Sequence, residues 1–537
     1  MRLWTRTTRS ARLGVGAALV AVALAVAACG SGGGSTASGG SGGASGTPKA
    51  GGSLTVLEPA GYSGDWPAGL DPASNINGAA DQSQMDAIFG QLFELGAKGK
   101  VINSLASGYS YSNGAKTWTI TLRHGVTFTD GTPFNAAAVV FNINRDLKSP
   151  CTCKPTWLAT IFDSVSAPGP YTVQVNLKQP DGAFIDQIFD STVQWIASPA
   201  AVKKLGPKQF AATPVGAGPF EVVSDTYSSV LTLKRNPHYW QKVLPYLDRL
   251  TFKTVSGDEA AYEAMLSGEG QVYEDMGTPS LLAQYRQHFT ALSQPGTTAY
   301  DLQLNTAVPP FNNKQARLAM YYATNFGPIL QHVFNGDGTP TQSFTGPGGI
   351  CYQPKVPGYP GYNLAKAKQI VKQLGGLTVS MGTLGSPVNN SAMEALQAEW
   401  AQAGIKTAIH PYSLASLIQV FSSKKWQAMI QTAGAYDPAA GVGVGFRFLS
   451  SSPFSGVFDK HLDSLLLQAG GTVNLSQRCS LYHQAAAYIA QQADGPFYFV
   501  LNPVDAAAKN VHGAGLTTPL PTVVVVPTIP WESVWMG

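Results

Sequence analysis

Residues 118–134 read Trp118-Thr119-Ile120-Thr121-Leu122-Arg123-His124-Gly125-Val126-Thr127-Phe128-Thr129-Asp130-Gly131-Thr132-Pro133-Phe134. Trp118, Ile120 and Leu122 alternate with threonines, the period-two pattern of a strand with one face turned to a core. Asp130-Gly131-Thr132-Pro133 then makes a turn. Just beyond it Asn135, or the residue before it, is placed to cap a helix through Val139-Val140-Phe141-Asn142. Trp118 and Phe128 are therefore expected in a core rather than at a ligand.

The same alternation of strand and helix runs outward in both directions. Gly51-Gly52-Ser53-Leu54-Thr55-Val56-Leu57 reads as a strand entry. Leu70-Asp71-Pro72 follows, then a polar helix ending near Ile88-Phe89-Gly90. On the other side come a strand at 171–177 and a short helix over 198–206 that Gly206 should stop. Next are the glycine turn Pro214-Val215-Gly216-Ala217-Gly218-Pro219-Phe220 and the segment Arg235-Asn236-Pro237-His238-Tyr239-Trp240. Two βα units are visible over 250–268 and 377–402. Interleaving of this kind predicts an α/β fold, and no short repeat is present.

The first 28 residues differ in kind. Arg2, Arg6, Arg9 and Arg12 precede an uncharged run that ends in Val26-Ala27-Ala28-Cys29. A basic start, a short apolar run and small residues before a cysteine predict an export signal closing in a lipoprotein box, with Cys29 as the lipid attachment point. The apolar run is short of the roughly 20 residues a spanning helix needs. Residues 30–47, almost all Gly and Ser, predict a tether reaching about 25 Å on average. The expected location is the outer face of the cell membrane.

Composition narrows the partners. Of 35 basic residues, the four arginines of the signal leave with it, so 31 remain against 31 acidic ones. A neutral chain carries no footprint for nucleic acid or an anionic bilayer. The 487 residues after position 50 suffice for two or three domains. Beyond Cys29 the cysteines are Cys151, Cys153, Cys351 and Cys479. Four cysteines in an exported chain allow three full pairings. The Cys151/Cys153 pair also resembles half a metal site, but no second pair lies nearby, so no metal is expected.

The stretch over 118–134 resembles the signature of the extracellular solute-binding proteins of family 5, the peptide, dipeptide, oligopeptide and nickel receptors of ABC importers. Leu70-Asp71-Pro72, Pro214 to Phe220, Arg235 to Trp240, Asn305-Thr306 with Pro309-Pro310-Phe311, and Arg317-Leu318-Ala319-Met320 occur in the family's order. The resemblance covers residues 51 to about 510. It implies a two-lobed clamp of class II, like the periplasmic binding proteins, with a small extra domain inserted in the first lobe. The chain would divide as signal 1–28, tether 29–50, first lobe 51–94, insert 95–197, first lobe again 198–297, second lobe 298–502 and first lobe 503–537. Crossing segments are expected at 294–302 and 499–504. A bridge between Cys351 and Cys479 within the second lobe is favoured, with a local bridge or none for Cys151 and Cys153.

The resemblance also implies where a solute would sit. Peptide-binding relatives carry an acid in the second lobe that pairs with the ligand's free amine. Here the matching stretch is Thr432-Ala433-Gly434-Ala435-Tyr436-Asp437-Pro438, and Ala435 stands where that acid is expected. The candidate ligand-binding residues are Asn77, Gly78, Trp426, Gly434, Ala435, Tyr436, Asp437, Arg447 and Phe499. Outside the Gly/Ser tether no G-x-S-x-G elbow, HExxH or phosphate loop occurs, so no catalysis and no cofactor are expected. The expected partners are a peptide or peptide-sized solute and the permease and ATPase subunits of an importer, with the receptor itself a monomer. The competing readings are an enzyme or a sensory lipoprotein on the same fold.

Overall fold

The strand Thr117–Leu122 buries Trp118, Ile120 and Leu122 and leaves its threonines half-buried or exposed. It lies between Ala106–Ser112 and Thr172–Leu177, and Phe162–Gly169 completes a four-stranded antiparallel sheet. The helix Ala136–Lys148 covers the apolar face. The Asn135 side chain caps it by accepting the Ala138 N–H at 3.0 Å. Val139 and Ile143, one helical turn apart, pack with Trp118, Ile120, Val173 and Val175.

This computed structural model describes residues 46–59, 69–75, 82–149, 161–189, 191–274, 279–439, 443–522 and 529–537. Cys29, Asn77, Gly78, Cys151 and Cys153 lie outside them.

The turn after the strand is also a joint. Asp130 accepts the Thr132 N–H at 2.9 Å and the Ser198 hydroxyl at 2.6 Å, which ties the small sheet to the helix Pro199–Ala212. That helix departs from the sequence expectation. Gly206 leaves helical geometry at φ 72°, ψ 169°, but the chain re-enters a helix at Pro207 and runs on to Ala212. A proline's fixed φ suits a first helical turn, so the glycine kinks the element instead of ending it.

Two larger sheets form the lobes. The first has seven strands in the spatial order Thr290–Ser293, Val504–Ala507, Val272–Tyr273, Ser53–Pro59, Arg249–Val255, Val230–Arg235 and Phe220–Thr226. The second has six, in the order Thr339–Pro340, Phe497–Val500, Ala299–Leu304, Ala428–Ala433, Leu377–Leu384 and Ile405–Tyr412. Parallel and antiparallel pairs occur in both. Each sheet has its own core: Val56, Phe89, Phe252 and Trp531 in the first, Leu302, Met320, Trp400 and Phe499 in the second.

The chain passes between the two sheets twice. Residues 294–298 lead from the first to the second, and residues 501–503 lead back. The passages lie side by side, with the Gln294 N–H donating to the Pro503 carbonyl at 2.8 Å. The buried Gln294 amide donates to Asp505 Oδ2 at 2.9 Å and to the Gly515 carbonyl, and accepts the Leu520 N–H. Cys351 and Cys479 form a disulfide with an S–S distance of 2.01 Å, joining the loop before Val356 to the helix Leu475–Gln492. Among the described residues no helix is long and apolar enough to cross a membrane.

Candidate functional site

The strand Ala428–Ala433 runs down the middle of the second sheet, and the chain leaves it through Gly434. Gly434 has φ +123°, and a Cβ there would come within 2.3 Å of the Phe344 carbonyl oxygen, so only glycine makes this exit. Ala435 follows, wholly buried, and presents a methyl group. Tyr436 then reaches out of its own lobe. Its hydroxyl donates to the Gly99 carbonyl, and its ring packs on Phe189 with centroids 5.5 Å apart. One side chain of the second lobe is thereby held by residues of the 95–197 region.

Asp437 is committed to an arginine. Its Oδ1 accepts the Ala439 N–H at 2.8 Å, and its Oδ2 lies 3.2 Å from the Arg478 guanidinium, an ion pair without hydrogen-bond geometry. The same guanidinium nitrogen donates to Asp186 at 3.1 Å. Arg478 sits on the helix Leu475–Gln492 and Asp186 on the short helix Phe184–Ile188, so the arginine bridges the second lobe and the small sheet. Burial and the Asp437 charge raise the Asp186 pKa, against the pull of Arg478. Burial lowers the Arg478 pKa, but the two carboxylates outweigh it and hold it above the usual arginine value. A backbone bond from the Gly182 N–H to the Gly470 carbonyl, 2.8 Å long, lies beside this bridge. A Cβ on Gly182 would come within 2.3 Å of the Thr472 backbone, so the two regions touch main chain to main chain.

The remaining candidates are spread through the second lobe. Phe499 is wholly buried against Tyr300, Phe326 and Phe334 at 4.8–5.2 Å. Trp426 packs on Phe421 with centroids 5.3 Å apart, and its indole N–H has no partner. Arg447 stacks on Phe446 and donates to the Thr432 carbonyl at 3.2 Å. It also opposes Asp301, a fully buried carboxylate neither of whose oxygens has a hydrogen-bond partner. Burial pushes Asp301 up to about 7 and Arg447 down to about 10, each partly offset by the other. The structure therefore gathers Gly434, Ala435, Tyr436 and Asp437 on the wall facing the small sheet. It places Trp426, Arg447 and Phe499 among the lobe's interior contacts.

Arg478, Asp186 and Asp301 are absent from the sequence reading. Arg478 did leave a local trace. It stands in the buried register Arg478, Tyr482, Ala485, Ile489, where a charge must find a partner. Nothing local marks Asp186, which lies 292 residues away from it. Among the described residues, no group of three or more His, Cys, Asp or Glu could hold a metal ion.

Residues 100–456 match the sequence model of the bacterial extracellular solute-binding proteins, family 5 (middle part). The glutathione-binding protein GsiB of Salmonella typhi is 30% identical over 467 residues, covering 83% of this chain and 89% of that protein. Among solved structures, the periplasmic binding protein DppA of Helicobacter pylori in complex with the peptide STSA superposes with a TM-score of 0.75 at 22% identity. That match covers 91% of this chain and 98% of the other. The oligopeptide-binding protein AppA of Bacillus subtilis, in complex with a nonapeptide, gives a TM-score of 0.75 at 19% identity, over 91% of this chain and 100% of that one. With well over half its length under one family model, and a two-lobed α/β fold with an inserted sheet, this chain belongs to the bacterial extracellular solute-binding proteins of family 5.

Proposed function

We propose that this protein is the extracytoplasmic receptor of an ABC importer, held to the membrane by lipid on Cys29. It captures a peptide or peptide-sized solute between its lobes and presents it to the permease. The observation that carries this reading is the pair of adjacent passages at 294–298 and 501–503, a hinge on which two lobes can close. Tyr436 reaching the Gly99 carbonyl supports it, because that bond joins the second lobe to the 95–197 region across the space between them. The relatives support the solute class: one is named for glutathione, and two were solved with peptides.

The terminal amine of a peptide finds no acid at Ala435, and Asp437 is already paired with Arg478. An ammonium group buried there without a partner costs several kcal/mol. The solute therefore has an end that is blocked, uncharged or met elsewhere. Calorimetry with short peptides and their N-acetylated forms tests both parts. The expected result is saturable binding in which acetylation costs no affinity. Binding of no peptide-sized solute sinks the receptor reading. A strong preference for free amines sinks the reading of Ala435.

A further inference from the structure

A cavity of about 440 Å³ lies between the second lobe and the small inserted sheet, beside the Arg478 bridge. Its walls are largely apolar, among them Pro180, Val444, Phe446, Leu449 and Leu466. Its size falls within the range of small-molecule pockets. One side is polar in a particular way: Asp181, Gln187 and Tyr482, each almost fully buried, line it together. Asp181 Oδ1 accepts the Ala183 N–H at 2.9 Å and the Gln187 amide N–H at 3.1 Å. That leaves the Gln187 carbonyl oxygen without a hydrogen-bond partner, and the Tyr482 hydroxyl has none either. Two unmet oxygens beside a buried carboxylate are three acceptor groups in one place. Among the described residues lining the cavity there is no Lys, Arg or His. The nearby Arg478 engages Asp186 and Asp437 through Nη2 alone, and its buried Nε and Nη1 have no hydrogen-bond partner.

A primary ammonium has three N–H donors and no acceptor, which is the complement of this set. An uncharged body would occupy the apolar walls. We propose that this chamber binds a primary amine with an apolar body, its ammonium held by Asp181, Gln187 and Tyr482. The site is separate from the wall at Ala435, and it stands whether or not the transported solute carries a charged terminus. A ligand there touches the small sheet and the second lobe at once, so it favours their contact.

The test is calorimetric titration of the full chain with three probes of one shape: 1-naphthylmethylamine, the neutral 1-naphthalenemethanol and the anionic 1-naphthoate. The ammonium probe is expected to saturate one site, with the alcohol at least tenfold weaker and the carboxylate silent. Asp181→Asn is expected to weaken the ammonium probe at least tenfold. Because Asp181 is buried, a second variant guards against misfolding. Leu467 is half exposed at the cavity rim, and Leu467→Arg places a repelling charge there and is also expected to weaken the probe tenfold. Equal binding of all three probes, no binding of the ammonium probe, or ammonium affinity unchanged in folded variants overturns the proposal. Peptide binding measured in parallel separates the two readings: peptides without the amine overturn this site alone, and the amine without peptides overturns the receptor reading alone.

Discussion

Arg145 grips Asp71 with both terminal nitrogens, one of them at 2.6 Å, and so fastens the helix Ala136–Lys148 to the Leu70-Asp71-Pro72 motif of the first lobe. Asp71 is almost fully buried, whereas Arg145 keeps partial access to water. Removing the arginine strands a buried carboxylate. Arg145→Ala is expected to destabilise the protein by about 3–5 kcal/mol, read as a lower midpoint in urea with unchanged slope. A change below about 1 kcal/mol would show that Asp71 finds water or another donor.

Tyr436→Phe removes the hydroxyl that meets the Gly99 carbonyl and leaves the ring on Phe189. If that bond belongs to the closed state, the variant binds solute up to about tenfold more weakly, because a net hydrogen bond contributes about 0.5–1.5 kcal/mol. The unliganded stability should move less than the affinity. Equal affinity in the variant would assign the contact to the open state as well.

Asp301 gives a pH-dependent signature. Its folded pKa is raised to about 7 by burial, above the unfolded value. The folded state therefore holds the proton more tightly, and this contribution is full below about pH 4 and lost as pH rises through 7. Asp301→Asn cannot titrate. Whatever its absolute stability, its unfolding midpoint relative to the unaltered protein should rise between pH 5 and pH 8, by an amount on the order of a few kcal/mol in free energy. A constant difference across that range would mean that Arg447 keeps the carboxylate ionised throughout.

The Cys351–Cys479 disulfide closes a sequence separation of 128 residues. Replacing both cysteines with alanine is expected to cost about 2–5 kcal/mol, since the unfolded chain gains the entropy of an open loop. Denaturant unfolding of the double variant checks this, with peptide mapping of the unreduced parent to verify the bridge.

Cys29→Ala is expected to move the protein from the membrane fraction to the soluble exported fraction, because a Gly/Ser tether offers no other hold. Fractionation with an antibody to the folded region reads the outcome. Retention in the membrane would assign the anchor to another segment.

What the sequence disclosed followed the range of each interaction. Trp118, Ile120 and Leu122 declare their strand because side-chain direction repeats every two residues, and Asn135 declares its helix because capping acts over three. Gly206 was legible as a break but not as a kink, since that depends on what the next residues do. Tyr436 and Asp437 could be located by motif, but their partners could not. Gly99 lies 337 residues from Tyr436, and Asp186 and Arg478 face each other only once two sheets have formed. Asp301 reads, with Gln303, as a polar residue in an otherwise apolar strand, and its missing hydrogen bonds appear only when every neighbour is in place.

The hydrogen bond from Gln294 to Pro503 means that the second lobe begins and ends at a single point on the first. Everything between is a closed excursion of the chain, entered and left through one doorway. Such an excursion is a cassette. Exchanged between two receptors at those residues, it would carry its recognition wall along and leave the seven-stranded sheet of the host uncut. A lineage of importers could thus acquire a new cargo by recombination at two neighbouring peptide bonds, without rebuilding the first lobe.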